Sequence, residues 1–324
     1  MEHTNNTYVI SFILLGLSND PYFQVIFFLI FLLMYIITLS GNMLLIILVT
    51  TDTQLHTPMY FFLCNLSFID ICFSTSIVPK IMYNTLSKDT SISLEGCALQ
   101  MYVSLSLGST ECILLAVMAY DRFVAICNPL HYNTIMSKTL CISLAAGSWV
   151  ISFINAAIHV VFTFQLSYCK SNIVNHFFCE MPPFFHLSCS DTWFLEVITY
   201  ISAGIIAMCA FFLIVITYIY IISAILMMQS THNRYKAFST CSSHLTVVSI
   251  FYGTIMFMYL RPHSSTFPES DKVVSIFYTT VTPMLNPIIY SMRNNDVKRT
   301  LKNKLSSKCM CKYDTKGIII GFYN

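Results

Sequence analysis

The amino-acid sequence predicts an all-α membrane protein: a bundle of seven transmembrane helices followed by a short amphipathic eighth helix. Of the 324 residues, 56% are hydrophobic and only 10% are charged, and the mean hydropathy is +0.68. A soluble domain carries about a quarter charged residues. Seven long apolar runs separate the charged residues, which collect at the ends of these runs. The net charge of +2 is too small to favour nucleic acid as a partner.

The chain begins with a tail, residues 1–23, that we expect to lie outside the membrane. Met1 to Thr7 contains no Lys or Arg, and polar residues follow the apolar run Tyr8 to Leu17, so we expect no cleaved signal peptide. A helix needs about 20 apolar residues to cross roughly 30 Å of hydrocarbon. The seven predicted spans lie near residues 24–49, 58–82, 98–121, 140–163, 195–227, 238–260 and 273–291, and they form a bundle over 24–292.

The distribution of basic residues predicts an extracellular amino terminus. With that orientation most Lys and Arg side chains fall on the inner side, largely in the tail from Arg293 to Lys316. Asn5 then lies outside the cell in the sequon Asn5-Asn6-Thr7, which predicts N-glycosylation. The cytoplasmic segment 293–324 starts with mixed basic and apolar residues, as expected of a helix on an anionic inner leaflet. The sequence does not decide whether Cys309 or Cys311 is palmitoylated.

The 13 cysteines divide between the membrane and the outer side. Those inside apolar spans are expected to pack as small hydrophobic side chains. Four fall in the oxidising outer compartment, where disulfides persist: Cys97, Cys169, Cys179 and Cys189. Their spacing leaves three pairings open. A metal site that also used nearby histidines is the less favoured alternative.

Two carboxylates lie at bilayer depth, Asp70 in the second span and Glu111 in the third. A charge at that depth costs about 2.5 to 3.5 kcal/mol, so both should face the bundle interior and have partners. Together with Asn42 and Asn286 they could hold a hydrated Na⁺, or one carboxyl could hold a proton. Polar packing without a function is the alternative.

Three further features predict moving parts. Asp121 and Arg122, at the inner end of the third span, could stay closed as a charge pair or release Arg122 toward another helix or a partner protein. A simple anchor at the inner surface is the alternative. Pro287 should bend the seventh span, with Asn286 placed to satisfy the groups left free. The sixth span has no proline, so any bend there depends on Gly253 or on packing.

Four motifs, in order along the chain, resemble those of olfactory receptors of the rhodopsin-like G-protein-coupled class. They are LHTPMYFFL from Leu55, MAYDRFVAIC from Met118, KAFSTCSSHL from Lys236 and PMLNPIIYSMRN from Pro283. The runs NHFFCE and FILLGL resemble the tetrapod-type, airborne-odorant branch. Phe123 departs from the pattern, because the family usually has Tyr there.

The resemblance implies an odorant-activated receptor in the plasma membrane of olfactory sensory neurons, coupled to the stimulatory olfactory-type G protein that raises cyclic AMP. It also implies the disulfides Cys97–Cys179 and Cys169–Cys189. We predict no enzymatic activity and no cofactor beyond the Na⁺ considered above, since the spans contain no nucleophile–base pair. The predicted coupling and switch residues are Asp121, Arg122, Tyr218, Asn286, Pro287 and Tyr290.

By the same resemblance, a small, neutral, volatile odorant binds in the outer half of the bundle. The outer half of the third span has no acid to pair with an amine. Helical spacing predicts that the following residues line the odorant site: Ser104, Leu105, Gly108, Ser109, Ser202, Ile206, Tyr252, Ile255, Tyr259 and Thr279. At each position, ordinary packing between helices is the alternative. The alternative function is a non-olfactory rhodopsin-like receptor for a soluble small molecule or peptide.

Overall fold

Seven long helices dominate the structure, a computed structural model that describes residues 10–17, 20–169, 171–260, 268–293 and 297–304. Each is long and apolar enough to cross a membrane, which confirms the predicted fold class and makes the chain a multi-pass membrane protein. The helices are α1 (Pro21–Thr51), α2 (Pro58–Leu86), α3 (Leu94–Cys127), α4 (Lys138–Phe164), α5 (Trp193–Met227), α6 (Thr231–Leu260) and α7, which joins Pro268–Ile276, a π-helical turn Phe277–Val281 and Thr282–Arg293.

Every predicted span lies inside its helix, but several ends were placed too close to the membrane centre. Helix α3 continues to Cys127, and α6 already begins at Thr231. Arg122 opens the extra turns of α3, and the extra turns of α6 contain charged and polar residues such as Asn233 and Arg234. They end an apolar run without ending a helix, because a helix can extend past the hydrocarbon into water.

Local sequence sets the helix starts. Asp20 caps α1 by accepting a hydrogen bond from the backbone N–H of Tyr22 at 2.9 Å, and Pro21 occupies a first-turn position. Ser93 caps α3 in the same way, with the N–H of Gly96 at 3.1 Å. Each cap satisfies a donor that would otherwise lack a partner at the helix start.

A three-stranded sheet covers the end of the bundle at which α1 begins, which we call the amino-terminal face. Its strand order is β2 (Ser91–Ser93), β1 (Ser11–Leu14), β3 (Ile173–Val174). β1 pairs antiparallel with β2 and parallel with β3. The predicted tail, residues 1–23, therefore contains a strand that the sequence did not reveal. A strand of four residues is too short for its alternation to be recognised in the sequence.

The core has two parts. The larger fills the space between the seven helices, and the smaller lies under the sheet. In the smaller part, which we call the cap cluster, the rings of Phe12, Tyr168 and Phe184 meet edge to face, with centroids 4.9 to 5.8 Å apart. Phe12 and Leu14 are completely buried there, so β1 holds the sheet to the helices through its inward side chains.

A short helix, α8 (297–304), follows α7 at the opposite end, the carboxyl-terminal face. Val297 and Thr300 are buried whereas residues 298 and 299 are exposed, as predicted for an amphipathic helix. Thr300 donates a hydrogen bond to Asp52 Oδ2 at 2.6 Å, and this bond lowers the pKa of Asp52. The turn between α1 and α2 is thereby tied to α8. Asn5, Cys309 and Cys311 lie outside the described residues.

Candidate functional site

Asp70, Glu111 and Asn286 form a polar cluster in the middle of the bundle, on α2, α3 and α7; we call it the central polar cluster. All three are at least 95% buried. The side-chain amide of Asn286 donates to both carboxylate oxygens of Asp70, each at 3.1 Å. Glu111 is close enough to interact with both residues. The structure thus brings together three of the four residues predicted for a cation or proton site.

Several buried oxygens around this cluster have no hydrogen-bond partner among the described residues. They are Glu111 Oε1, Asn42 Oδ1 and Ser74 Oγ. Ser74 lies one helical turn after Asp70 on α2, so its hydroxyl shares that face. Carboxylate, amide and hydroxyl oxygens are ligands that suit a hard cation. Sequence reasoning missed Ser74, although its spacing from Asp70 was a usable signal.

Asn42, the fourth predicted residue, joins α1 to the bend in α7. Pro287 has no N–H, so the carbonyl of Pro283, four residues earlier, loses its helical donor. The amide of Asn42 donates to that carbonyl oxygen at 3.1 Å. We predicted that Asn286 would satisfy the freed group, and this was wrong, because its amide is bound to Asp70. Beside the bend, a Cβ on Gly41 would lie 3.0 Å from Pro287 Cγ, so the bend packs directly on α1.

Asp121 and Arg122, near the carboxyl-terminal face, have separate partners. Asp121 Oδ1 accepts a hydrogen bond from the hydroxyl of Tyr132 at 2.8 Å. Arg122 donates through Nη1 to the carbonyl oxygen of Thr240 on α6 at 2.6 Å. Of the two arrangements considered from the sequence, the structure shows the one in which Arg122 has turned to another helix. Its Nε and Nη2 have no hydrogen-bond partner among the described residues.

A histidine on α6 adds a second connection close to Arg122. His244 is fully buried; its Nε2 lies 3.1 Å from the carbonyl oxygen of Leu115 on α3, and its Nδ1 lies 2.8 Å from the hydroxyl of Tyr218 on α5. A carbonyl only accepts, so Nε2 carries the proton and Nδ1 accepts from Tyr218. Tyr290, a predicted switch residue, is buried with its hydroxyl unpaired among the described residues. His244 lies in the motif KAFSTCSSHL, but its spacing along α6 did not predict this role.

The predicted odorant-lining residues on α3 divide between two environments. Gly108 and Ser109 are half-buried, and a Cβ added to Gly108 would meet only Phe73, at 4.0 Å. Ser104 is also half-buried, and its hydroxyl donates to a carbonyl of its own helix. Leu105 instead packs against the cap cluster under the sheet. Leu105 lies one position away from the face that Ser104 and Gly108 share, and its place in the lining stays a prediction.

On α5, α6 and α7, three predicted hydroxyls are engaged within the protein. Ser202 Oγ lies 2.6 Å from Nε2 of His159, a buried histidine on α4 that sequence reasoning missed. Thr279 donates to a carbonyl of its own helix at 2.6 Å. The Tyr252 hydroxyl donates to the carbonyl oxygen of Cys112 on α3 at 3.3 Å, so Tyr252 lies deeper than predicted, next to the central polar cluster.

Two isoleucines of the proposed lining, Ile206 and Ile255, are half-buried and pack against the main core, where an apolar ligand could contact them. The side chain of Tyr259 lies outside the described residues.

The loop between α4 and α5 folds over the amino-terminal face. The structure contains the two disulfides that the resemblance implied, Cys97–Cys179 and Cys169–Cys189, with Cα atoms 5.5 and 5.8 Å apart. These pairs leave no outer cysteine for the alternative metal site, and no cluster of three or more His, Cys, Asp or Glu occurs in the described part of the chain. Gln100 on α3 accepts from the N–H of Cys179 at 2.9 Å, which fixes the loop to α3.

The same loop also contacts α7. The hydroxyl of Tyr278 donates to Glu180 Oε1 at 2.8 Å, and His176 Nε2 lies 3.6 Å from Glu180 Oε2. His176 is 4% exposed, and burial together with the charge of Lys272 lowers its pKa from 6.5 to about 3. The imidazole is therefore neutral at physiological pH. The loop is fixed to both α3 and α7 and forms the roof over the predicted odorant region.

Seven membrane helices, a roof held by disulfides and a chain of buried polar residues from Asp70 to Arg122 define the class of seven-helix G-protein-coupled receptors. A sequence model of the family described as olfactory receptor matches residues 31–308. The chain belongs to the olfactory receptor family. It is an odorant-detecting receptor that couples to a G protein, and it is not an enzyme.

Individual relatives agree with this assignment. Olfactory receptor 5AR1 of Homo sapiens and its Mus musculus counterpart are each 50% identical over 308 residues, which cover 95% of this chain and 99% of theirs. Olfactory receptor 5F1 of Homo sapiens is 48% identical over 95% of this chain and 98% of its own. The similarity therefore extends over all seven spans.

Proposed function

We propose that a small, neutral, volatile odorant binds under the roof, in the amino-terminal half of the bundle, and that binding shifts α6 so that the olfactory stimulatory G protein is activated and cyclic AMP rises. One observation carries the proposal. Helix α6 is bonded to α3 at three levels: Tyr252 to Cys112, His244 to Leu115, and Arg122 to Thr240. The uppermost contact is at the floor of the proposed odorant region, and the lowest involves the predicted coupling residue.

These three contacts hold α6 in one of two positions, and both the odorant region and the coupling region at Arg122 can shift the equilibrium between them. A net hydrogen bond contributes about 0.5 to 1.5 kcal/mol, and one to a charged group about 1.5 to 3. Their sum is a few kcal/mol, which is comparable with the ~5.5 kcal/mol of differential affinity that takes a two-state equilibrium from 1:99 to 99:1. An odorant that displaces the Tyr252 hydroxyl removes the first contact and makes the lower two easier to break.

Apolar contacts should supply most of the odorant affinity. Ile206 and Ile255 offer aliphatic surface, and a Cβ added to Gly108 would meet only Phe73, at 4.0 Å. Several nearby hydroxyls already donate within the protein, so a ligand with one polar group, such as an alcohol, aldehyde, ketone or ester, fits better than one with many polar groups. The absence of an acid between Ala98 and Thr110 on α3 argues against an amine.

We also propose that the amino-terminal face is extracellular. Both disulfides are on this face, and disulfides persist in oxidising compartments. With this orientation Asn5, which we predict to be glycosylated, lies outside the cell, and the basic segment after α7 meets the anionic inner leaflet. By family membership we expect the receptor in the plasma membrane of olfactory sensory neurons, which antibody labelling of intact cells and tissue can test.

The central polar cluster is proposed as a site for Na⁺ or a proton. The unpaired oxygens of Glu111, Asn42 and Ser74 beside Asp70 support this proposal. Occupancy would neutralise one of two buried carboxylates and stabilise their proximity. Agonist potency should therefore depend on Na⁺ or on pH, and Asp70→Asn should weaken that dependence. Potency that ignores both variables in the unmodified receptor would exclude the site.

The main test is cyclic AMP in cells that display the receptor and are exposed to a panel of volatile odorants. We expect an odorant-dependent rise that Arg122→Ala abolishes at equal surface display. Arg234→Ala is the matched control, because Arg234 is an exposed arginine at the start of α6. A response that persists in Arg122→Ala, or that both variants abolish equally, would contradict the proposed coupling.

A second pair of variants tests the link between the two halves. Tyr252→Phe removes only the hydroxyl that contacts Cys112, so we expect higher basal cyclic AMP and altered potency. Tyr235→Phe is the control, since Tyr235 is on the same helix and is 75% exposed. Identical basal activity and potency in both variants would show that the Tyr252 contact does not hold α6.

A further inference from the structure

The sides of α5 and α6 that face the bilayer do not close on each other. An apolar groove of about 490 Å³ lies between them. Ile214, Val248 and Tyr252 form its floor and are each at most 5% exposed, whereas Ile219 and Ile222 on its rim are 62% and 51% exposed. All of these positions are inside the apolar spans. The groove therefore opens toward hydrocarbon.

The depth and length of the groove identify what can fill it. On α5 it runs from Phe211 to Ile222, which is about 16 Å of helix at ~1.5 Å per residue. That is roughly half of the ~30 Å hydrocarbon thickness. On α6 it runs from Leu245 to Met256, one turn above Tyr252, whose hydroxyl contacts Cys112 in the middle of α3, and its lower end is toward the carboxyl-terminal face. It thus spans the leaflet on the side of the carboxyl terminus.

The shape of the groove favours a single chain. A volume of about 490 Å³ over about 16 Å gives a mean cross-section of about 30 Å². That is narrow and continuous, as an extended aliphatic chain requires. The tyrosine hydroxyls at the groove, on Tyr218 and Tyr252, are bonded to His244 and Cys112, so they do not demand a polar ligand.

We propose that this groove is a binding site for one acyl chain of a phospholipid in that leaflet. The chain contacts α5 and α6 along the same stretch in which α6 is bonded to α3. A bound chain therefore fills space between the two helices and stabilises the arrangement seen here. The site adjoins the proposed odorant region at Tyr252, which contributes to both, and the proposal does not depend on the identity of the odorant or the G protein.

Gly253 provides a direct test, because it lines the groove and a Cβ added to it would have no neighbour within 4 Å among the described atoms. Gly253→Phe should fill the groove without displacing the protein. Gly147 on α4 also has no such neighbour, and Gly147→Phe is the matched control. Val215→Phe fills the groove from α5 and serves as the second variant if Gly253→Phe does not fold.

The full-length receptor is reconstituted in phosphatidylcholine nanodiscs that contain a trace of phosphatidylcholine with a diazirine on its acyl chain. After irradiation, labelled residues are located by mass spectrometry. We expect labelling of Ile219 and Ile222 several-fold above that of Leu29 and Leu33, which are comparably exposed on α1. Filling the groove should lower its labelling to the α1 level, and the α4 control should not.

Three outcomes would overturn the proposal: equal labelling of α1 and the groove, groove labelling that survives both filling variants, or displacement of the label by a sterol but not by unlabelled phosphatidylcholine. The last would assign the groove to a ring system. None of these readouts requires odorant or G protein, so they do not bear on the proposed receptor function.

Discussion

Asn42→Ala removes the donor that satisfies the carbonyl of Pro283 at the bend of α7. Asn42 is fully buried, and its amide donates to Thr38 O at 3.0 Å and to Pro283 O at 3.1 Å. The Thr38 carbonyl keeps its ordinary helical partner, so the loss concentrates on Pro283. A buried acceptor left without a partner costs about 1 to 3 kcal/mol. We expect Asn42→Ala to lower the free energy of unfolding by that amount.

A second substitution shows whether this explanation is right. Pro287→Ala restores a backbone N–H that can reach the Pro283 carbonyl, so the Asn42 amide is then no longer needed there. In the Pro287→Ala background, Asn42→Ala should cost clearly less. The coupling energy of the double-mutant cycle should be about 1 to 2 kcal/mol.

The cycle can be measured by detergent-induced unfolding of the purified receptor in mixed micelles, with the four proteins compared under one condition. Additive effects of the two substitutions would refute the reasoning, because they would mean that Asn42 does not serve the carbonyl freed by the proline. A cost that Pro287→Ala increases would refute it as well.

Three other predictions concern stability. Gly41→Ala places a Cβ about 3.0 Å from the proline ring of α7 and should destabilise by about 1 to 3 kcal/mol in the same assay, whereas Gly147→Ala, with no atom within 4 Å, should not. Folding lowers the pKa of His176 from 6.5 to about 3, so between these values the unfolded chain binds more protons than the folded one, and stability falls as pH falls. From pH 7.5 to 5.5 the free energy of unfolding should decrease by about 1.4 kcal/mol. His176→Gln should remove this pH dependence. The disulfide Cys97–Cys179 closes a separation of 82 residues and Cys169–Cys189 one of 20, so double serine replacement of the first should cost about 1 kcal/mol more, and equal losses would contradict the chain-entropy account.

The helices could be predicted from the sequence because lipid imposes a strong and simple requirement. An apolar run of about 20 residues without charges can form few structures other than a transmembrane helix. The same requirement makes buried polar residues conspicuous, so Asp70 and Glu111 could be identified as functional candidates from their depth alone. Their surroundings on the same helix could also be predicted from helical spacing, as for Ser74.

Partners on different helices could not be predicted, because they depend on packing angles that a sequence does not display. The amide of Asn42 reaches the carbonyl of Pro283, and the amide of Asn286 reaches Asp70. The sequence alone had favoured Asn286 as the partner of the groups that Pro287 leaves free. His159 is a similar case: nothing along α4 indicates that it meets Ser202 on α5. Short irregular segments such as β1 were also out of reach, since four residues carry too little periodicity.

The sheet on the amino-terminal face has a consequence for biosynthesis. β1 is made first, but its neighbours follow far along the chain, since Ser11 pairs with Ser93 and Leu14 with Val174. At about 5 to 20 residues per second, roughly 8 to 32 s of translation separate Leu14 from its partner Val174. During that time Phe12 and Leu14 have no buried place, so the young chain must be shielded until four helices have been inserted. The sheet therefore cannot close before α4 and β3 have been made, and an antibody that recognises only the unpaired β1 would count the molecules in which it is still open.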